Sequence, residues 1–318
     1  MSSEVLSAGI LVADHLCTPI PRVPRAGELI LADALPLSIG GCAANVAMDL
    51  TRLGVGVSIS GCVGEDAFGD FVRDTLEARG VDTRSLRRLS GVGTSGTLII
   101  NVAGEDRRFI HSLGANARFT AEHVPDELFE QVRVFYLGGY LLTPALEPRA
   151  LAALFRQARR SGAKTVLDVV LPGPGDHWAL LEPVLAETDV FLPNGDEAQA
   201  ITGLVDPVRQ AERFLEAGAG AAVITRGEEG CLLMSRGGVH LRSRAHQVEY
   251  VGGTGAGDAF DAGYIAGLLA DADPQTCLAW GSAVGASCVR SISATESVFS
   301  RAEAEAFLRQ HPLQVQAF

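Results

Sequence analysis

Short apolar runs and segments with helical spacing of apolar residues alternate along most of the chain. VFYLGG (134–139) and TVLDVV (165–170) have the length of buried strands, whereas in PRALAALFRQARRSG (148–162) apolar residues return every three or four positions. Residues 43–53 show the same helical spacing directly after a pair of glycines. This alternation predicts an α/β fold in which a mostly parallel central sheet is covered by helices on both faces.

Two segments do not follow the alternation. The apolar run from Val5 is expected to end as a strand at Asp14, and ELILADALPLSI (28–39) predicts two short strands. Residues 94–112 predict a β-hairpin, because two strand-like runs flank a glycine-containing turn. We expect these strands to form a small sheet outside the main one. The predicted division is 1–12, 40–93 and 113–318 for the core, and 13–39 and 94–112 for the small sheet.

Composition narrows the classes of function. A net charge of −12 argues against nucleic-acid binding, which requires clustered basic residues. No stretch approaches the ~18 apolar residues of a membrane span, and the first residues lack the basic start of a signal peptide. Lys164 is the only lysine, so other cationic roles fall to arginine. The cysteines form no CxxC pair, so we expect reduced thiols in a cytoplasmic protein.

Polar and glycine residues recur where predicted strands end. Parallel α/β sheets bind ligands at the carboxyl ends of their strands, so this recurrence predicts a ligand site at one edge of the sheet. The residues concerned are Asp14, Gly40, Gly41, Asp168, Asn194, Thr225, Arg226 and Gly227.

The stretch GGTGAGD (252–258) is a glycine-rich turn that leads into a helical pattern. Free N–H groups at a helix start, together with the helix dipole, favour an anion such as a phosphoryl group. Asp258 then has two possible roles: it caps the helix, or it accepts a proton from a substrate hydroxyl. GGCAAN (40–45) is a second such turn, and its Asn45 either binds a sugar hydroxyl or is simply a polar residue near a helix start.

Two other phosphate-binding motifs are excluded by the sequence. The pattern GxxxxGK[ST] does not occur. GVGTSG (91–96) matches GxGxxG, but it precedes a predicted strand instead of a helix, so it is interpreted as a turn and not as an NAD site.

Taken together, these motifs resemble those of the ribokinase/PfkB family of carbohydrate kinases. GGCAANVAMDLTRLGVGVSISGCVGEDAFG (40–69) and GTGAGDAFDAG (253–263) are similar to the two family signatures. NGDE (194–197) is similar to the family's NxxE motif, and TRGEEG (225–230) to its nucleotide-binding segment. The resemblance implies a three-layer α/β/α ribokinase-like fold with a small β-sheet lid, and transfer of the ATP γ-phosphoryl group to an alcohol.

The resemblance also implies roles for individual residues. Asp258 would be the base, and the backbone N–H groups of Gly255, Ala256 and Gly257 would hold the transferred phosphoryl group. Asn194 and Glu197 would organise Mg²⁺. Nucleotide contacts would come from Thr225, Arg226, Gly227 and Gly230, and from a helix beginning near Gly281 that would border the adenine. The sugar would be held by Asp14, Gly40, Gly41, Asn45 and Asp168.

The sequence departs from the family pattern in three places, and one of them is the segment after Asp168, VVLPGPGDHW, which lacks the arginine that many relatives place there. Gly252 stands where members often carry an aspartate of a monovalent-cation site, so K⁺ activation is in doubt, and Cys42 stands where many ribokinases carry lysine.

Several acceptors and partners remain open. The carboxylates on the acceptor side favour an unphosphorylated, ribose- or fructose-like sugar. A phosphosugar kinase would use Arg107, Arg108 or His111, and a nucleoside kinase would use Phe109 or Phe119 to stack a base. A non-catalytic sugar-binding regulator is the alternative from a different class. A homodimer formed through the lid is expected by analogy.

Overall fold

The computed structural model describes residues 3–105 and 107–318, and its largest element is a central sheet. Within that part of the chain the strands are β1 (Val5–Gly9), β2 (Val12–Ile20), β3 (Leu37–Gly40), β4 (Val57–Gly64), β5 (Asp82–Leu89), β6 (Gly96–Val102), β7 (Arg108–Ser112), β8 (Val134–Tyr140), β9 (Lys164–Val169), β10 (Val190–Phe191), β11 (Ala221–Thr225), β12 (Cys231–Ser235), β13 (His240–Ser243) and β14 (Val315–Ala317). The central sheet has the order β14-β13-β12-β11-β10-β9-β8-β1-β4-β5. Strands β11 through β5 in this order run parallel, and β12, β13 and β14 complete one edge in antiparallel pairing.

Helices cover both faces of this sheet. They are α1 (Cys42–Arg52), α2 (Ala67–Ala78), α3 (Pro148–Arg160), α4 (Trp178–Leu185), α5 (Gly195–Thr202), α6 (Pro207–Glu216), α7 (Ala256–Leu269), α8 (Pro274–Cys288) and α9 (Arg301–Gln310). One apolar cluster joins the sheet to α1, α2, α7, α8 and α9, and a second joins it to α3, α4, α5 and α6. The predicted three-layer α/β/α fold with a mostly parallel sheet is confirmed.

Capping side chains determine where several helices begin. Asp66, Asp206 and Asp273 each accept a hydrogen bond from a backbone N–H in the first turn of α2, α6 and α8. Such caps satisfy N–H groups that have no partner inside the helix. The two helices that begin at glycine turns differ, because the N-terminal caps of α1 and α7 are Gly41 and Gly255, which offer no side chain.

The small sheet has the order β3-β2-β6-β7 and lies outside the central one. Strands β6 and β7 form the expected hairpin, although Asp106 of its turn lies outside the described residues. Strand β2 pairs antiparallel with β3 and parallel with β6. In the small sheet, strands β2 and β3 extend one residue beyond the predicted segment 13–39 at each end, and β6 begins two residues inside the segment 94–112.

Two strand predictions in this region were wrong. The first apolar run does not end at Asp14: β1 stops at Gly9, and Asp14 is the third residue of β2 in the small sheet. The chain passes from one sheet to the other at Ile10 and Leu11, so one apolar run serves two sheets. Only Leu37–Gly40 of the predicted pair of strands at 28–39 is a strand. The leucines before it are exposed at its surface, which removes the burial that stabilises a strand.

Strand β5 was not predicted. Its sequence DTRSLRRL carries charged residues at half of its positions, and it lies at the edge of the central sheet with half-buried and exposed side chains. Edge strands commonly carry charge, because charge discourages pairing with another chain.

Among the described residues, no helix combines the length and the apolar character that crossing a membrane requires.

The close packing of β1 against β8 can be tested by a substitution at Gly9. Its φ is +129°, and a methyl group on it would lie 2.1 Å from the carbonyl oxygen of Gly138. Gly9→Ala is therefore expected to lower the free energy of unfolding by at least about 2 kcal/mol more than Gly80→Ala. Gly80 is the matched control, because its φ is +82° but nothing lies within 4 Å of the added methyl group. Equal losses in chemical denaturation would contradict the packing argument.

Candidate active site

Carboxylates from distant parts of the chain meet at the carboxyl ends of the parallel strands. Asp168 lies near the end of β9, Asp14 comes from the small sheet, and Asp258 comes from the first turn of α7. The thiol of Cys42 and carboxylate oxygens of Asp168 and Asp258 all lie within 4.8 Å of one another. Asp14 is close enough for the charge of Asp258 to raise its pKa. The acidic residues singled out on the acceptor side are thus brought together.

Asp258 is held from across the site. The side-chain amide of Asn45, four residues into α1, donates a hydrogen bond of 2.8 Å to Oδ2 of Asp258. The residue that caps the start of α7 is Gly255, which has φ +78° and forms no side-chain cap. Of the two roles left open by the sequence, helix capping is therefore not the one seen, since the carboxylate is oriented toward the opposite helix.

Burial and mutual repulsion perturb these acids. Burial raises the pKa of Asp258, while hydrogen bonds from Asn45 and Cys42 act in the opposite direction. Burial also raises the pKa of Asp14 to about 6, with a smaller contribution from Asp258, against a hydrogen bond from Thr97. The pKa of Asp168 is raised well above its usual range by burial and then by Glu197 and Asp258. Desolvated carboxylates that repel one another in a cleft are typical of a functional site.

Glycines leave room for this arrangement. A methyl group on Gly40 would lie 1.9 Å from Oδ2 of Asp14, and one on Gly41 would lie 2.5 Å from the carbonyl oxygen of Ile10. Gly41 also has φ +90°, which favours glycine. The glycine pair therefore lets the small sheet bring Asp14 against the start of α1.

A cavity of about 610 Å³ extends from the start of α7 toward α8. Its size suits a nucleotide-sized ligand. Predicted site residues that line it are Asn194, Thr225, Gly227, Gly230, Ala256 and Gly257. Its remaining walls include Phe260, the loop containing His246 and Tyr250, and a face of α8.

A family model for pfkB family carbohydrate kinases matches residues 4–301. The chain belongs to the pfkB family of carbohydrate kinases. It is a kinase that transfers a phosphoryl group to a sugar-type acceptor, and the resemblance drawn from its motifs is confirmed.

Particular relatives match over nearly the whole kinase. Ribokinase of Haemophilus influenzae is 28% identical over 313 residues, which covers 97% of this chain and 99% of the relative. Ribokinase of Arabidopsis thaliana complexed with ribose and ATP has a TM-score of 0.84 at 21% identity, covering 97% of this chain and 99% of that one. A protein described as Ribokinase II of E. coli, in complex with ATP and Mg²⁺, has a TM-score of 0.81 at 24% identity over 97% and 100% of the two chains.

The kinase's NGDE segment forms a reciprocal cap on α5. Oδ1 of Asn194 accepts from the N–H of Glu197 at 2.9 Å, and Oε2 of Glu197 accepts from the N–H of Asn194 at 2.9 Å. Burial raises the pKa of Glu197 to about 7, with contributions from Asp258 and Asp196, against the hydrogen bond from Asn194. The local role of this motif is therefore structural, while its Glu197 responds to the charge of Asp258.

Two residues that were predicted to contact the nucleotide, Gly281 and Arg226, are not among the residues that line the large cavity. Gly281 does not lie near the start of a helix, because α8 begins at Pro274. It packs against Phe260, and a methyl group placed on Gly281 would lie 3.0 Å from the ring of Phe260. The guanidinium of Arg226 forms an ion pair with Glu229.

Sequence reasoning missed several residues of the site. Asp261, one turn after Asp258, accepts a hydrogen bond from the hydroxyl of Tyr136 at 3.1 Å, and both are buried. The sequence does contain a signal for it, since DAFD (258–261) places a second acid three residues after Asp258, on the same side of the helix. The face of α8 that lines the cavity, with Ser282, Gly285 and Ala286, is marked only by small residues at helical spacing, and Val289 directly after the helix also lines the cavity.

Removing the amide of Asn45 should shift the pH dependence of the kinase. Its N–H group stabilises the ionised form of Asp258, so Asn45→Ala should raise the pKa of Asp258 further. If that carboxylate must be ionised, the acid limb of kcat/KM should move to higher pH. The control is Gln199→Ala, which removes an exposed amide on α5. If the acid limb of Asn45→Ala were unchanged, the ionisation of Asp258 would not be the step that this limb reports.

Proposed function

We propose that this kinase transfers the γ-phosphoryl group of ATP to a hydroxyl of a small unphosphorylated sugar, with Asp258 as the general base. The observation that carries the proposal is the position of Asp258. Its carboxylate points to Asn45 and the acids of the acceptor side, while Ala256 and Gly257, directly before it, line the large cavity. Acceptor and nucleotide would therefore meet at this carboxylate.

The chain's own groups supply the chemistry in this proposal. Asp258 in its ionised form takes the proton from the attacking hydroxyl, so the oxygen becomes a better nucleophile as it approaches phosphorus. The backbone N–H groups at the start of α7 lie at the positive end of the helix and hold the charge of the transferred phosphoryl group. Gly257 leaves this approach open, since nothing lies within 4 Å of a methyl group placed on it.

Asn194 and Glu197 are the residues proposed to hold Mg²⁺ near the phosphates. Their oxygens are the hard donors that Mg²⁺ prefers, and the ion usually keeps several of its waters. Only Oε2 of Glu197 is used within the reciprocal cap, so its other carboxylate oxygen remains for the hydrated ion. The ion supplies charge neutralisation between the phosphates when it is bound.

An unphosphorylated sugar fits the acceptor side better than a nucleoside. Carboxylates accept hydrogen bonds from neighbouring sugar hydroxyls, and Asp14 and Asp168 both lie there. Phe119, one of two rings considered for stacking a base, is completely buried in the core. Phe109, the other, is on strand β7 with the guanidinium of Arg107 5.5 Å from its ring centre.

A panel of acceptors tests the reaction and the base together. We expect ATP turnover with D-ribose or D-fructose, and lower turnover with their phosphates and with adenosine. Asp258→Asn should lower kcat by about 10²- to 10⁴-fold, because the amide cannot accept the proton. The control is Asp74→Asn, which alters an exposed acid on α2.

Two outcomes would overturn this proposal. Preferred turnover of a sugar phosphate or a nucleoside would show that the acceptor class is wrong. A variant Asp258→Asn that is as active as the wild type would show that another group is the base.

We further propose that the kinase forms a homodimer through its small sheet. Large apolar side chains are exposed on this sheet and on the loop before β3, among them Leu29, Leu31, Phe109 and Ile110. A second copy would cover them, since contiguous exposed apolar surface is typical of an interface. The described cysteines are all free and buried, which fits action in the reducing cytoplasm.

The proposed dimer can be tested by a substitution that introduces one charge on this surface. Ile110→Glu should convert a dimeric species into a monomer in sedimentation analysis, because burying an unpaired carboxylate at the interface is unfavourable. Val205→Glu is the control, since Val205 is equally apolar and 79% exposed but lies between α5 and α6. A monomeric wild type, or equal dissociation of both variants, would contradict the proposal.

A further inference from the structure

Asp49 is an acid in the middle of α1 that is completely buried and has no hydrogen-bond partner. Its exposed fraction is 0%, and in the part of the chain that the structure describes no donor reaches either of its carboxylate oxygens. Nε of Arg52, three residues further along the helix, is likewise buried without a partner. An ionised carboxylate in such a place would be very unfavourable, so the side chain is expected to keep its proton.

Asn45, one turn before Asp49 on the same helix, lacks a partner at one end of its amide. The nitrogen of this amide donates to Asp258, but Oδ1 is buried and accepts from no donor among the described residues. Residues four apart on a helix lie on the same face, with roughly 5–6 Å between their Cβ atoms. Asp49 therefore lies directly behind the amide that holds Asp258.

Electrostatic effects also place Asp49 close to Asp258. Burial raises the pKa of Asp49 well above its usual range, the charge of Asp258 raises it further, and Arg52 and Arg79 act in the opposite direction. On the side of α8, burial raises the pKa of the Cys288 thiol, and Asp49 adds to that effect. The two nearby cations thus do not outweigh burial and the neighbouring acid.

A protonated Asp49 can supply the hydrogen that the amide of Asn45 lacks. A carboxylic acid carries one O–H donor, whereas an ionised carboxylate and an amide oxygen only accept. The two side chains are not in direct hydrogen-bond contact, so a buried water is the group that fits between them: it accepts from Asp49 and donates to Asn45. An amide fixed in this way keeps its nitrogen toward Asp258, because the reversed amide would turn its oxygen toward a carboxylate.

We propose that Asp49 is a positioning residue for the base: its carboxylic acid group, bridged by one buried water to Oδ1 of Asn45, holds that amide with its N–H toward Asp258. The inference rests on the proposed function for the role of Asp258, whereas the protonated state of Asp49 and the bridge do not depend on it. Asp49 acts only through Asn45. It orients the amide without adding a second negative charge next to the base.

Kinetics on the best sugar acceptor test the positioning role. Asp49→Ala should lower kcat about tenfold and leave the KM of the acceptor within about twofold, because the base is misplaced and the acceptor contacts remain. The acid limb of its kcat/KM should move to higher pH, since a loosened Asn45 stabilises the ionised form of Asp258 less. Asp49→Asn should recover most of kcat and leave the acid limb in place, because its amide can also donate to the water.

Two further variants separate this role from a general effect on folding. In the background of Asn45→Ala, adding Asp49→Ala should change neither kcat nor the acid limb any further, because Asp49 acts through Asn45. The control is Leu50→Ala, which removes a completely buried side chain from another side of α1. It should lower stability and leave the acid limb unchanged.

Urea denaturation tests the protonated state without any acceptor. A carboxyl group whose pKa is raised by folding costs increasing stability as the pH rises from its unfolded value of about 4 toward its folded value. The urea midpoint of Asp49→Asn should therefore exceed that of the wild type, and the difference should be larger at pH 8 than at pH 5. Asp74→Asn, which alters an exposed acid on α2, should show no such difference.

A crystal structure of the unliganded kinase tests the bridge itself. It should show one water within hydrogen-bond distance of both Asp49 and Oδ1 of Asn45. A metal ion or the guanidinium of Arg52 in that place would overturn the inference.

The solution measurements can overturn the inference as well. An Asp49→Asn variant that unfolds more easily than the wild type at pH 8, or whose acid limb moves to lower pH, would show that Asp49 is ionised. A further loss of kcat in the double variant would show that Asp49 does not act through Asn45. A fully active Asp258→Asn variant together with the expected denaturation results would instead refute the assigned base and leave the protonated bridge standing.

Discussion

The hydrogen bond between Asn45 and Asp258 joins the two halves of the site. The residues are 213 positions apart, and each lies in the first turns of a helix that starts at a glycine. The bond can form only if α1 and α7 pack side by side on one face of the sheet with their N-termini at the same edge. That geometry depends on the parallel order of the strands and on the crossing of the chain from β1 to β2. The acceptor acids and the large cavity take their positions from the same constraint.

Much of the site could be predicted because glycine turns and strand ends are local signals. GGCAAN and GTGAGD identify backbone that must turn tightly, and a helix follows each of them. The place of Asp168 near the end of β9 followed from the general behaviour of parallel sheets. Asn45 was expected one turn into its helix and lies there. These features depend on residues that are close in sequence, where patterns are informative.

The rest depends on contacts between distant residues. No local pattern shows that the apolar run from Val5 divides between two sheets at Ile10, because both halves are buried. The leucines at 29, 31 and 35 alternate as a strand would, yet the structure leaves them exposed. The face of α8 that borders the cavity is recognised only once its neighbours are known. The pair formed by Tyr136 and Asp261 likewise joins β8 to α7, and neither residue alone predicts the other.

The crowding of acids has a consequence for the folded protein as a whole. Asp14, Asp168, Asp258 and Asp261 are all desolvated, and the charge of Asp258 disfavours ionisation of the other three. An unfolded chain would leave each of them in water, so the folded chain gives up stability to keep them in one place. Neutral substitutions of these aspartates that abolish turnover should therefore raise the free energy of unfolding, which is the expected trade-off between stability and activity. The same fold without these buried acids would therefore be more stable than the active enzyme.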